Sequence, residues 1–206
     1  GKTIMAKAMI SIFPKMTEEE IITAPRIWSV AGALNSHRPL VSERPFRSPH
    51  HSSSTASLVG GGRIHRPGEI SLATCGLLFL DEFPEFARES IESLRQPLED
   101  RVVTISRVHG SVTFPANFIL VAAQNPCPCG YFGDDGKECV CSLYQRAQYQ
   151  KKISGPVLDR MDLFVWGPRL KFSKLHRNGE SSKVVRERVE RSRYIQQERF
   201  QGTKIL

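Results

Sequence analysis

The sequence predicts an α/β protein with a mainly parallel sheet flanked by helices. Two observations carry that prediction. The run Leu77, Leu78, Phe79, Leu80 is continuously apolar and stops at Asp81 and Glu82, as a strand buried on both faces of a parallel sheet does where its carboxyl end meets a ligand site. The chain also opens Gly1, Lys2, Thr3, which matches the end of the phosphate-binding pattern G-x-x-x-x-G-K-[ST], whose lysine meets the β- and γ-phosphates and whose hydroxyl ligates magnesium. One fragment holds phosphate, and the other supplies an acid for the metal and an acid for a water.

The remaining elements follow in order. Ile4 to Ile12 runs without a breaker until Pro14 and reads as a helix whose amino terminus faces the phosphates. Thr17 before Glu18, Glu19 and Glu20 is a helix cap with acids in the first turn. Residues 37–70 hold Pro39, Pro45, Pro49 and Pro67, the pair His50/His51, serines 52–54 and glycines 60–62, and predict a long ordered loop or hairpin. After the 77–80 strand, residues 85–96 read as one helix with Ile91 and Leu94 on a face, ending near Pro97. Val102 to Ile105 and Ser111 to Phe114 flank Arg107, His109 and Gly110 as a β-hairpin. Phe118 to Ala123 predicts a second buried strand, ending in Gln124, Asn125, Pro126; a cysteine-bearing loop and a polar helix follow, and Leu163 to Val165 predicts a third strand. Strands alternating with helices give the parallel sheet.

At 206 residues the chain fits one sizeable domain with an extension. Hydrophobic content of 40% and charged content of 24% are ordinary for a water-soluble protein. No apolar run approaches a membrane span and no signal segment opens the chain, so the sequence predicts a cytoplasmic protein with no membrane partner. The net charge of +8 is local: residues 169–206 hold 11 lysines and arginines against 4 acids, while residues 1–168 hold 18 against 17. That divides the chain into a core at 1–168 and a basic helical extension at 169–206. Such an extension suits a polyanion, but the i,i+4 pairs Arg186/Glu190 and Glu187/Arg191 equally describe a solvated helix.

Cleavage of a phosphoanhydride needs charge neutralisation and a positioned water. Lys2 supplies charge, Thr3 and Asp81 suit magnesium, and Glu82 is the candidate base for the water. Asn125 is an uncharged donor suited to the water or the γ-phosphate, or simply a turn former before Pro126. Arg160, between Asp159 and Asp162, reads either as a local ion pair or as an arginine finger for an adjacent subunit. Cys127, Cys129, Cys139 and Cys141 form C-x-C-x9-C-x-C. Four thiolates in a short loop suit zinc, although the tight pairs depart from common zinc spacings and free thiols are the other reading. Cys75 reads as a small core residue. Arg63 and His65 after the glycines, with Arg107 and His109 at the hairpin tip, are candidate contacts to DNA phosphates.

The segments GKT at 1–3, RPFRSPHH at 44–51, LVGGG at 58–62, RPGEISLA at 66–73, LLFLDEFPEF at 77–86, LRQPLED at 94–100, AAQNPCPCGY at 122–131 and SGPVLDRMDL at 154–163 together resemble the magnesium-chelatase-like AAA+ ATPases of the ComM/YifB type. The resemblance covers nearly the whole chain. It implies a P-loop AAA+ core binding ATP and Mg2+, with inserted β-hairpins and a hexameric ring. Gly1, Lys2, Thr3, Asp81 and Glu82 would lie on one side of each site and the neighbour's Arg160 opposite, with Asn125 as the first sensor. It also implies a motor acting on single-stranded or branched DNA, in branch migration or helicase work during natural transformation. The other implied reading is the ATPase subunit of a metal chelatase that remodels a protein partner. By the same resemblance the first core strand and the lid subdomain lie outside these 206 residues, which by themselves would hydrolyse ATP weakly.

Overall fold

The computed structural model describes residues 2–34, 43–62, 65–107, 110–167 and 179–201. In chain order the elements are α1 (Lys2–Ile10), α2 (Glu18–Ala31), β1 (Phe46–Arg47), α3 (Thr55–Val59), β2 (Gly60–Gly61), β3 (Arg66–Pro67), α4 (Glu69–Leu72) and β4 (Leu77–Leu80). A 3-10 turn (Phe83–Glu85) leads to α5 (Arg88–Glu92), α6 (Arg95–Asp100), β5 (Val102–Arg107), β6 (Gly110–Pro115), β7 (Ile119–Ala122), α7 (Leu143–Gln150), α8 (Gly155–Leu158) and α9 (Ser182–Arg199). Strands β1, β4 and β7 form a parallel sheet in that order, whereas β2 with β3 and β5 with β6 are antiparallel pairs. The fold class is therefore the expected α/β.

Strand β4 is fully buried because each of its faces has a core of its own. Leu77 and Phe79 pack with Ala6, Met9 and Ile10 of α1, and Leu78 and Leu80 point the other way, among Ile70, Phe83, Ile91, Leu94, Val103 and Val157. The period of two along four apolar residues thus serves two layers. Gly76 leads into this strand because a Cβ there would collide with the Pro45 carbonyl.

Helix α2 starts as expected. The Thr17 hydroxyl accepts from the Glu20 amide at 3.2 Å, and the Glu20 carboxylate accepts from the Thr17 amide at 2.8 Å, a reciprocal capping box. Glu20 is also the partner of Arg44, whose guanidinium donates to Glu20 and to the carbonyls of Pro14, Lys15 and Cys75. One side chain therefore ties the end of the α1 region, the start of α2 and the lead into β4. Cys75 is buried as expected, with an unusual positive φ of 66°.

Four expectations are corrected. The 37–70 region is more than a loop or hairpin: the antiparallel β2–β3 pair lies in it, but its described part also contributes sheet strand β1, whose register Phe46↔Leu77 and Arg47↔Leu78 makes it a neighbour of β4, as well as α3 and the start of α4. Two residues are too few to carry a strand period. The single helix over 85–96 is a turn and two short helices, and Pro97 lies in the first turn of α6 rather than beyond a helix end, where its missing N–H costs no internal bond. Strand β7 is only partly buried, with Ile119 50% exposed, because within the described sheet it has a neighbour on one side. Leu163 to Val165 forms no strand; these residues and Trp166 are exposed, with no strand partner among the described residues. Of the expected basic extension, the described part is α9, which has no buried residue and meets the core where Arg186 donates to the Ser11 carbonyl. No helix among the described residues is long and apolar enough to cross a membrane.

Candidate nucleotide and metal sites

The three parallel strands run in one direction, so their carboxyl ends lie side by side, and the chemistry collects there. The register Leu80↔Ala122 places Asp81 and Glu82 next to the residues leaving β7, an arrangement held by the Phe83 amide donating to the Ala123 carbonyl at 2.9 Å. The first turn of α1 reaches the same place. The Thr3 hydroxyl donates to Asp81 Oδ2 at 2.7 Å, while Asp81 Oδ1 accepts from the Glu82 amide at 3.0 Å. Lys2 Nζ donates to the Gln124 carbonyl at 2.6 Å and to Asn125 Oδ1 at 2.8 Å. A cation, a hydroxyl, two carboxylates and an amide are thus brought together from positions up to 123 residues apart. Such a set can hold a hard divalent ion and a phosphate chain and can orient a water.

Glu82 has a left-handed backbone, with φ 52° and ψ 43°. This conformation is uncommon for a residue with a side chain. Its carboxylate is half exposed, and Oε2 lies 3.0 Å from His51 Nδ1. His51 follows β1, its ring centroid 4.1 Å from that of His50 and in edge contact with buried Phe86. The sequence shows the histidine pair but gives no sign that one of them meets Glu82, because that contact depends on the placement of β1.

The four cysteines of the 127–141 loop are all free thiols. The Sγ atoms of Cys127 and Cys129 are 3.4 Å apart, those of Cys127 and Cys139 are 3.7 Å apart and those of Cys129 and Cys139 are 3.6 Å apart; with Cys141 all four lie within 4.8 Å of one another. They do not ionise alike. The Tyr131 backbone amide draws the Cys129 thiol down to about 6. In Cys139 a backbone contact at Cys141 also pulls downward, but desolvation and the adjoining thiols outweigh it and leave the group at about 11. The loop adjoins the first cluster through Asn125, whose backbone meets the hydroxyl of buried Tyr149 on α7. Tyr149 is a support the sequence reading did not single out.

Residues 1–175 match the family described as magnesium chelatase, subunit ChlI. The chain belongs to that family. Among curated relatives of this family member, competence protein ComM of Haemophilus influenzae is 47% identical over 97% of this chain and 39% of its own length. YifB of Escherichia coli, described as uncharacterized, is 43% identical over 92% of this chain and 37% of its own length. An uncharacterized protein of Mycobacterium tuberculosis is 42% identical over 97% and 40%. The chain therefore spans about two fifths of the length of these relatives, and the resemblance drawn from its motifs is borne out. Among solved structures it is similar to NtrX from Brucella abortus in complex with ADP, with a TM-score of 0.38 and 16% identity over 56% of this chain and 23% of the other.

Of the expected site residues, Lys2, Thr3, Asp81, Glu82 and Asn125 converge as described. Arg160 does not join them: its Nη2 donates to Glu99 Oε2 of α6 at 2.6 Å, and that contact raises its pKa. Neither neighbouring aspartate is the partner in this ion pair. Gly1, Arg63 and His109 lie outside the described residues, as does the side chain of Arg107, whose backbone ends β5 opposite Gly110. His65 is half buried, with Nε2 shielded from solvent and without a hydrogen-bond partner.

Proposed function

We propose that this family member is the nucleotide-hydrolysing part of an ATP-driven ring motor that acts on DNA. The carrying observation is the convergence of Lys2, Thr3, Asp81, Glu82 and Asn125 at the carboxyl ends of β4 and β7. Lys2 neutralises phosphate charge, and Asn125, already its hydrogen-bond partner, holds the lysine and the γ-phosphate in register. Thr3 and Asp81 present a hydroxyl and a carboxylate oxygen side by side, a donor set that fits Mg2+. The ion, when bound, supplies further positive charge for the phosphate oxygens. Glu82, with its carboxylate half exposed beside this pair, orients the attacking water and accepts its proton.

The motor reading adds a homo-hexamer in which Arg160 leaves Glu99 and serves the site of the adjacent subunit. Residues 1–168 form the hydrolytic core in this reading, and 169–206 the basic extension. DNA would meet Arg63, His65, Arg107 and His109, in branch migration or helicase work. The name of the Haemophilus influenzae relative, a competence protein, supports a task in DNA uptake. A cytoplasmic location follows from that task. The family description favours a second reading, an ATPase that drives a metal chelatase through a protein partner. ATP turnover by the intact protein, measured with and without single-stranded and branched DNA, separates the two. Stimulation of several-fold by DNA supports the motor; turnover unchanged by either DNA supports the chelatase-type partner.

The cysteine cluster is proposed to hold zinc. A tetrahedral ion with sulfur ligands at about 2.3 Å separates its sulfurs by about 3.8 Å, and the pairs among Cys127, Cys129 and Cys139 lie at 3.4, 3.6 and 3.7 Å. Elemental analysis of the purified protein should find about one zinc per chain. Four freely titratable thiols with no metal would refute the assignment.

A further inference from the structure

We infer that the four-cysteine loop, closed on its metal ion, is a positioning device for ATP hydrolysis: it holds Asn125 in place beside Lys2. The inference rests on the hydrolytic and zinc readings above and adds a link between them that neither needs. Asn125 is strung between two anchors. On the strand side, the Ala123 amide donates to the Leu80 carbonyl at 2.9 Å and the Ala123 carbonyl accepts from the Phe83 amide at 2.9 Å. On the loop side, Cys127 is fully buried, its carbonyl accepts from the Gly130 amide at 3.0 Å, and its Sγ lies 3.4 Å from that of Cys129 and 3.7 Å from that of Cys139. Between the anchors, Gln124, Asn125 and Pro126 make no backbone–backbone hydrogen bond among the described residues, and Gln124 and Asn125 are exposed.

The link from cluster to site is short and stiff. The chain runs Asn125, Pro126, Cys127, Pro128, Cys129. Each proline fixes its own φ near about −65° and keeps the residue before it out of the helical region, so a shift of Cys127 is passed to Asn125 rather than absorbed on the way. At the other end of the link, Lys2 Nζ donates to Asn125 Oδ1 at 2.8 Å and to the Gln124 carbonyl at 2.6 Å. These bonds set where Asn125 points, but they are exposed and compete with water; how long it stays there depends on the anchors. The strand anchor belongs to the sheet. The loop anchor has no apolar core of its own, because among residues 127–141 only Cys127 is buried. What lies at the centre of that loop is the set of four Sγ atoms within 4.8 Å of one another, and a segment built this way takes its order from the ion it binds.

The test compares the intact protein as purified, stripped of zinc by a chelator that is then removed, and reloaded with zinc or cobalt(II), each assayed for ATP hydrolysis in Mg2+. Stripping should lower kcat about tenfold and leave KM for ATP within about threefold. Zinc should restore kcat, and so should cobalt(II), whose thiolate absorption reports occupancy of the loop independently of turnover. Cys139→Ser removes a ligand twelve residues along from Cys127, without touching the Asn125 to Cys127 link, and should reproduce the stripped protein. In an Asn125→Ala background neither stripping nor Cys139→Ser should cost anything further, whereas a general loss of structure would add its full cost there. Zinc removed with kcat still within about twofold of the loaded protein overturns the inference, as does a loss confined to KM or a full additional loss in the Asn125→Ala background. A wild-type protein that binds neither zinc nor cobalt(II) overturns the zinc reading, and turnover that Glu82→Gln does not diminish overturns the hydrolytic one; either takes this inference with it.

Discussion

Two clusters of ligand-bearing side chains stand next to each other in this molecule, and they are built on opposite terms. At the ends of β4 and β7 the side chains meet partners of complementary charge or polarity: Lys2 meets Asn125, Thr3 meets Asp81, and His51 lies at ion-pair distance from Glu82. In the 127–141 loop four identical thiols face one another, with Phe132 donating its amide to Cys127 as one of the few outside contacts. The first arrangement is self-consistent and keeps its geometry ready for a ligand. The second cannot ionise together without a cation, since like charges at van der Waals distance oppose one another. The comparison teaches that one site is preorganised by its own hydrogen bonds and the other by the ion it would take.

Three perturbations sharpen the contrast. The largest effect is expected from Lys2→Ala in the intact protein, which removes a charge aimed at the phosphates and should lower ATP turnover about a hundredfold, measured by phosphate release. The cysteine loop should respond instead to metal. A Cys127→Ser variant should lose its zinc and melt lower, by several degrees if the site contributes about 2 kcal/mol, read by elemental analysis and calorimetry. A melting point that matches wild type in both metal-free and metal-loaded samples would remove the difference between the clusters.

The smallest effect concerns the frame behind the first cluster. Burial by itself would raise the pKa of Glu20, but hydrogen bonds from Arg44 and the Thr17 amide, with the Arg44 charge, bring it below the ordinary carboxylate value. A carboxyl group with a depressed folded-state pKa contributes stability that is present above its unfolded pKa and lost as pH falls through the folded one. The melting temperature should therefore fall as pH drops below about 4, the ordinary carboxylate range, and Glu20→Gln should remove part of that slope. Because Arg44 also holds the Pro14, Lys15 and Cys75 carbonyls, Glu20→Gln should leave the pKa-independent part of the frame standing.

Much of the first cluster was legible in the chain because each of its parts is a local signal. An apolar run ending in two acids, a Gly-Lys-Thr start and a strand ending in Asn125 each point to a strand or helix terminus by themselves. The neighbours of these parts were not legible. His51 and Tyr149 come to the site through pairings set by β1 and α7, and a strand of two residues leaves no period to read. The runs Leu77 to Leu80 and Leu163 to Trp166 make the same point about fold. Both are apolar, yet the first lies between two strands and is fully buried, and the second is 66–88% exposed. Composition shows that a segment can be a strand; a neighbour to pair with makes it one.

The central claim is that the carboxyl ends of β4 and β7 carry an ATP-hydrolysing site with Glu82 as its base. The most direct measurement is ATP turnover by the intact protein bearing Glu82→Gln, with nucleotide affinity followed in parallel. The account predicts a fall in kcat of about 10²-fold or more while ATP remains bound. Turnover within twofold of wild type would contradict it.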